Sequence, residues 1–185
     1  STRRGPAEAA GSPVDADRGA ALGAPSPLAR ARADQVATLY ASWPRTTASM
    51  LFGGALFCAA MWGEAPPATM AAWIALVLAN QAWRGLLARR WRLAHPGPAA
   101  MRRWGRYWSI GSAAAGALWG VAAVAMFPGS PERQALSIVC LFGVVLGGLN
   151  LTAVYKPSFY GFVLPALLPL IVRVGAGAEP VHLSI

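Results

Sequence analysis

The stretch YWSIGSAAAGALWGVAAVAMF, from Tyr107 to Phe127, has 21 residues and contains no Asp, Glu, Lys or Arg. A helix needs about 20 mostly apolar residues to cross a bilayer. A barrel strand would instead alternate apolar and polar residues over about ten positions, and this stretch does not. We therefore interpret it as a membrane-spanning helix.

Four further windows without charged residues accompany this one along the chain. Gln134–Tyr155 is long enough by itself, and the others reach the required length with interfacial flanks such as Trp43, Trp62 and Arg84. A sixth apolar stretch begins at Val181. The sequence thus predicts an all-α integral membrane bundle with five complete transmembrane helices and the start of a sixth. In chain order the five windows are Thr46–Met61, Thr69–Trp83, Tyr107–Phe127, Gln134–Tyr155 and Ser158–Val172.

The positive charge is concentrated in alternate connections between the windows. The chain is only 12% charged, with a formal net charge of +9, which in a soluble protein would suggest nucleic acid. Alternate connections hold fourteen of the 16 Lys and Arg residues, and the other connections hold two. The positive-inside rule places the connections that are rich in Lys and Arg, together with the N-terminus, in the cytoplasm. The charge is then explained without nucleic acid, and we expect anionic lipid headgroups at the cytoplasmic face as the partner. The alternative is an anionic partner for the run RRWRLAHPGPAAMRRWGRYW, residues 89–108.

The chain divides into three predicted parts. Residues 1–34 are rich in Ala, Gly and Pro with scattered charge, so we expect a disordered cytoplasmic tail. Residues 35–45 place Val36, Leu39, Tyr40 and Trp43 on one helical face, which predicts a juxtamembrane surface helix. Residues 46–185 form the transmembrane domain, which we expect to continue beyond the last residue.

Small residues recur at four-residue spacing in the third and fourth windows. In lipid, such spacing lets two helix backbones approach closely. We expect these positions to pack the bundle, with contact between two copies of the chain in a homodimer as the alternative. They are Ser112, Gly116 and Gly120 in the third window and Gly143 and Gly147 in the fourth.

Polar residues lie near the predicted inner ends of the second and fourth windows. These are Asn80 and Gln81, and Asn150 and Thr152. A lipid-facing amide would cost several kcal/mol, so we expect both pairs to point into the bundle. They are candidates for a ligand or switch site, and hydrogen bonding between helices is the alternative.

The fifth window contains two prolines in its interior, Pro165 and Pro169. Lys156 is the cytoplasmic charge before it, and Pro157 suits the first turn of a helix. The very short connection predicts a tight antiparallel hairpin between the fourth and fifth windows. Because a proline removes a backbone hydrogen bond, we expect this helix to be kinked in its outer half, and we include both prolines among the switch candidates.

No catalytic motif, cofactor motif or metal site is visible in the sequence. Cys58 and Cys140 lie in separate apolar windows and suit a packing role. Zinc needs four ligands, whereas His95 and His182 fall on opposite sides of the predicted membrane. The windows also lack the acidic residue that a proton-coupled transporter usually needs. We therefore predict no catalytic residue, no cofactor and no metal ion in this chain.

Several motifs together resemble the multi-helix N-terminal sensory modules of bacterial membrane-bound histidine kinases, including hybrid kinases, and of related diguanylate cyclases. The similarity covers roughly residues 36–185. It is carried by LY at 39–40, RRWR at 89–92, GALWG at 116–120, FPGSPERQ at 127–134, the glycine-rich end of the fourth window, and YKPSFYGFVLPALLPLIVR at 155–173.

This resemblance implies a location in the bacterial inner membrane and a role in signal transduction. The expected function is the input domain of a sensor histidine kinase of a two-component phosphorelay, with a diguanylate cyclase module as the alternative. Any kinase or cyclase activity would lie in a domain C-terminal to the last helix. A fragment of a small-solute transporter and a plain membrane anchor are the alternatives from other classes.

Overall fold

The computed structural model describes residues 26–177, apart from the side chains of residues 98, 149–152 and 176–177. This part of the chain is all-α, as predicted, and the sixth apolar stretch from Val181 lies outside it. Residues 26–177 contain six α-helices: α1 (Pro27–Ala41), α2 (Trp43–Ala60), α3 (Pro67–Ala94), α4 (Met101–Ala125), α5 (Pro131–Thr152) and α6 (Lys156–Gly177).

The first helix begins earlier than the composition predicts. Residues 27–34 were expected to belong to a disordered tail, yet they form the first two turns of α1. Ser26 caps the helix, because its hydroxyl accepts from the backbone N–H of Ala29, and Pro27 occupies the first turn. Val36, Leu39 and Tyr40 are buried, as their common face requires. Residues 1–25 of the predicted tail lie outside the described part.

Helix α3 extends well beyond its apolar window. It continues to Ala94 through the arginine-rich segment and ends at His95, which has a left-handed backbone with φ of 40°. A 3-10 turn over Pro98–Ala100 then leads into α4. The long connection between the second and third windows is therefore mostly helical and extends α3 and α4 beyond their apolar parts.

The helices pair in an order that differs from the chain order. The most extensive interface joins α4 to α6, and the next joins α2 to α5. The predicted hairpin of α5 and α6 has a short connection, but α6 contacts α5 far less than it contacts α4. The small residues on α4 explain this preference, because they allow the backbone of α6 to approach.

Three aromatic rings hold the middle of the bundle together. The ring of Trp119 lies 5.0 Å from that of Trp73 and 5.6 Å from that of Phe57, both with edge-to-face geometry. Both indole N–H groups are satisfied, since Trp73 donates to the Leu118 carbonyl and Trp119 to Met50 Sδ. Rings with paired polar atoms can be buried at little cost.

The two ends of the bundle have different contacts. At one end, Arg133 of α5 pairs with Glu64 at 3.5 Å and donates to the Trp62 carbonyl. The α2–α3 loop and the start of α5 therefore lie together, at the end opposite to α1. The arginine-rich ends of α3 and α4 pack with α1 around Tyr40 and Trp104.

Two of the described helices are long and apolar enough to cross a membrane by length and composition, namely α4 and residues 156–175 of α6. Five spans were predicted, and by this criterion only these two pass. Helix α3 carries arginines from Arg84 onward, and α5 begins with Glu132 and Arg133. A mostly buried core helix of a soluble protein meets the same criterion.

Candidate functional site

The close contact between α4 and α6 is formed by three of the predicted packing residues. Ser112 Oγ lies 2.7 Å from Ser158 Oγ, and both serines are buried. A side-chain methyl added at Gly116 would collide with the Phe162 carbonyl, and one added at Gly120 would collide with the Pro165 carbonyl. Ser112, Gly116 and Gly120 thus share one face of α4 in contact with the backbone of α6.

Both interior prolines of α6 lie at this interface and are half-buried. Pro169 has no N–H, so the Pro165 carbonyl lacks its usual partner four residues later. The Cα–H of Gly120 that a side chain would replace points at that oxygen. Such Cα–H···O contacts at helix interfaces contribute perhaps 0.5–1 kcal/mol each. Gly120 therefore provides a weak donor to the carbonyl that Pro169 leaves free.

The two glycines predicted on α5 have different surroundings. Gly147 packs near Ser49, with Oγ 3.2 Å from the position of an added Cβ, whereas Gly143 faces open space. The glycine that brings α2 and α5 together is Gly53, where an added Cβ would lie 2.6 Å from Val144 Cγ2. Sequence spacing alone did not indicate Gly53.

The polar switch candidates are brought together only in part. Gln81 is buried, and its Oε1 accepts from Thr47 Oγ1 at 3.4 Å. Asn80 is half-buried. Asn150 and Thr152 lie in the last turn of α5, but their side chains are outside the described part, so their orientation into the bundle stays a prediction.

Arg84, which the sequence analysis counted among the basic residues of a connection and as an interfacial flank of the second window, is the most deeply buried charge of the described chain. Arg84 is 1% exposed, and its guanidinium carbon lies 4.4 Å from the centre of the Trp108 ring. Its stem packs on Gly111, where an added Cβ would meet Cγ at 3.2 Å. Its Nε and Nη2 are buried without a hydrogen-bond acceptor.

Aromatic rings surround Arg84 on the side that faces α1. Tyr40 stacks on Trp91 with ring centres 4.5 Å apart and donates to the Trp104 carbonyl at 3.1 Å. Burial raises the pKa of the Tyr40 hydroxyl above its ordinary value, so it remains a donor at neutral pH. Trp43 packs against Gly85, and its Nε1 is another buried donor without an acceptor.

Helical spacing could have placed Arg84 in the interior. Along α3 the buried residues recur at intervals of three or four: Trp73, Val77, Gln81, Arg84 and Ala88. The arginine is therefore on the face that packs against the bundle, one turn after Gln81. Counting it only as a loop charge concealed that position.

The described residues contain no group of three His, Cys, Asp or Glu side chains that could hold a metal ion. Cys58 is half-buried and Cys140 is buried, and both are free thiols. Comparisons with protein families, with curated proteins and with solved structures found no match to this chain.

Proposed function

We propose that the chain is a multi-pass membrane protein in which α2 to α6 each cross the bilayer and α1 lies on the cytoplasmic face. Large apolar side chains point outward along these helices, including Phe52 at 73% exposed, Val139 at 66% and Val172 at 67%. Soluble monomers rarely expose such extended apolar surface, whereas lipid favours it. The division of basic residues between alternate connections supports the same orientation.

Within that arrangement, we propose that the chain is the input domain of a bacterial signal-transduction protein of the inner membrane. The sensor histidine kinase is the favoured output, and the diguanylate cyclase is the alternative. The observation that carries this proposal is the α4–α6 interface. A helix with Pro165 and Pro169 in its interior rests there on Gly116 and Gly120, where backbone contacts replace interlocking side chains.

An interface of this type suits a helix that has two positions. The weak Cα–H···O contact can be exchanged for another at low cost, and the missing backbone hydrogen bonds make α6 easier to bend. A stimulus that favours one position would shift the population of α6, and the residues that follow it would carry the change to the output domain.

The test is to replace Pro165 and Pro169 together with alanine in the full-length protein. The substitution restores two backbone donors and should lock the response to stimulus in one state. The variant should still insert and reach normal abundance. Output activity, normalised to the amount of membrane protein, is measured against stimulus.

Pro157→Ala is the matched control, since Pro157 lies in the first turn of the same helix, where its missing N–H deprives no carbonyl. Its response curve should equal that of the wild type. A wild-type curve for the double variant as well would contradict the proposal and favour a static membrane anchor.

A further inference from the structure

Arg84 carries a buried charge that no carboxylate of the described chain balances. The carboxylates between residues 26 and 177 are Asp34, Glu64 and Glu132, and the ion pair formed among the described residues joins Glu64 to Arg133. An arginine side chain stays protonated in proteins. An unpaired buried charge costs several kcal/mol, so a sequence that keeps one needs a compensating partner.

The two unpaired nitrogen atoms of Arg84 belong to the same edge of the guanidinium. The Nε–H and one N–H of Nη2 point in parallel, which is the geometry that binds a carboxylate or a phosphate through two hydrogen bonds. The guanidinium carbon lies over the Trp108 ring, and this contact restricts the movement of the side chain. The free edge is therefore held in position before any ligand arrives.

The neighbouring indoles add donors of the same kind. Trp108 Nε1 and Trp43 Nε1 are buried without acceptors, and Trp43 packs on Gly85, the residue after Arg84. Together with the two atoms of Arg84, they are all the buried side-chain nitrogens and oxygens that lack a partner in the described chain. All four are donors and two of them belong to a cation, so an anionic acceptor would match both the hydrogen-bonding capacity and the charge of this region.

We propose that Arg84, with Trp108 beside it, is a binding site for an oxyanion that offers two acceptor oxygens, a phosphate or a carboxylate. Arg84 directly follows the second apolar window, at the predicted depth of the cytoplasmic headgroups. The anion can therefore be the phosphate of a lipid headgroup or a small soluble anion from the cytoplasm, and the recognising chemistry is the same. The site does not depend on the signalling role proposed above.

Entry of the anion requires a side-chain movement, because both nitrogens are closed to solvent in this conformation. Trp83 is 47% exposed, and its ring lies over Gly111 beside the stem of Arg84. It is the neighbour with the most room to rotate. Side-chain rearrangements of this size are common when ligands bind.

The first experiment compares the thermal stability of the wild type and Arg84→Met in lipid-depleted, non-ionic detergent. Sodium phosphate and sodium acetate are added in turn, with chloride at equal ionic strength as the reference. We expect both oxyanions to raise the melting temperature of the wild type and to leave Arg84→Met unchanged. Arg89→Met is the matched control, because Arg89 is an exposed arginine of the same helix, and it should respond like the wild type.

Binding affinity is then measured from the change in tryptophan fluorescence during the phosphate titration. Arg84→Lys keeps the charge but cannot form two parallel hydrogen bonds. We expect it to raise the dissociation constant by about tenfold or more, which is the contribution of one charge-assisted hydrogen bond to affinity.

Nanodiscs separate the two sources of the anion. One set contains phosphatidylglycerol and the other a phosphate-free galactolipid. A headgroup ligand would stabilise the wild type over Arg84→Met in phosphatidylglycerol alone, whereas a soluble ligand would do so in both lipids once phosphate is added. The proposal is overturned if phosphate, acetate and phosphatidylglycerol all change the wild type and Arg84→Met equally. Arg84 would then serve only to pack against Trp108.

Discussion

Replacing Gly116 by leucine should separate α4 from α6. Even the first carbon of a side chain at this position would overlap the Phe162 carbonyl, which is backbone and cannot rotate away. Overpacking a tight contact costs about 1–3 kcal/mol, and separating the helices also weakens the Ser112–Ser158 hydrogen bond, worth about 0.6 kcal/mol in a membrane. The gain in helix propensity over glycine returns about 1 kcal/mol. The expected net loss is therefore about 1–3 kcal/mol.

For a chain of this size, each kcal/mol shifts the melting temperature by about 2–4 °C. We expect Gly116→Leu to melt about 2–12 °C below the wild type in a detergent thermal-shift assay. Gly143→Leu is the matched control, since Gly143 also lies within a helix but faces open space. It gains the same propensity without the collision, so its melting temperature should stay equal or rise. Equal melting temperatures for the two variants would refute the close approach of α4 and α6.

Two other predictions concern orientation and the α1 contact. In a background free of native cysteines, an impermeant thiol reagent applied to intact cells should label cysteine at Gly129 and not at Gly97; both positions have open space around them. Labelling at Gly97 alone would reverse the topology. Tyr40→Phe removes the buried hydrogen bond to the Trp104 carbonyl and should lower the melting temperature by about 2–4 °C, the effect of about 1 kcal/mol. A melting temperature equal to that of the wild type would mean that the hydroxyl contributes nothing there.

The sequence was sufficient to identify a packing face but not its partner. The spacing of Ser112, Gly116 and Gly120 indicates one small-residue stripe on α4, because residues four apart share a helix face. It does not indicate which helix covers the stripe. The structure places α6 there, where the carbonyls of Phe162 and Pro165 and the hydroxyl of Ser158 contact the stripe. A match of this kind depends on three-dimensional position.

The buried arginine was missed because two signals conflicted. Arg84 directly follows an apolar window, so charge alone assigned it to the cytoplasmic connection. Its spacing from Trp73 and Gln81 places it inside, and the Trp108 ring that shields it comes from a distant part of the sequence. The early start of α1 was missed for a local reason, since Ser26 is a capping residue within a segment whose overall composition resembles a disordered chain.

The pairing order of the helices has a consequence for how the protein is made. Synthesis proceeds from the N-terminus, so α4 emerges while α6, the helix that covers its glycine face, has not yet been translated. Likewise α2 remains without its main neighbour until α5 follows. A nascent chain that ends before Pro131 therefore carries two incomplete faces, and one that ends before Lys156 still carries the uncovered face of α4, which the cell's quality-control proteases can recognise. Substitutions on the face of α6 that contacts α4 should accordingly shorten the lifetime of newly made chains. They should have a smaller effect on the stability of chains that complete assembly.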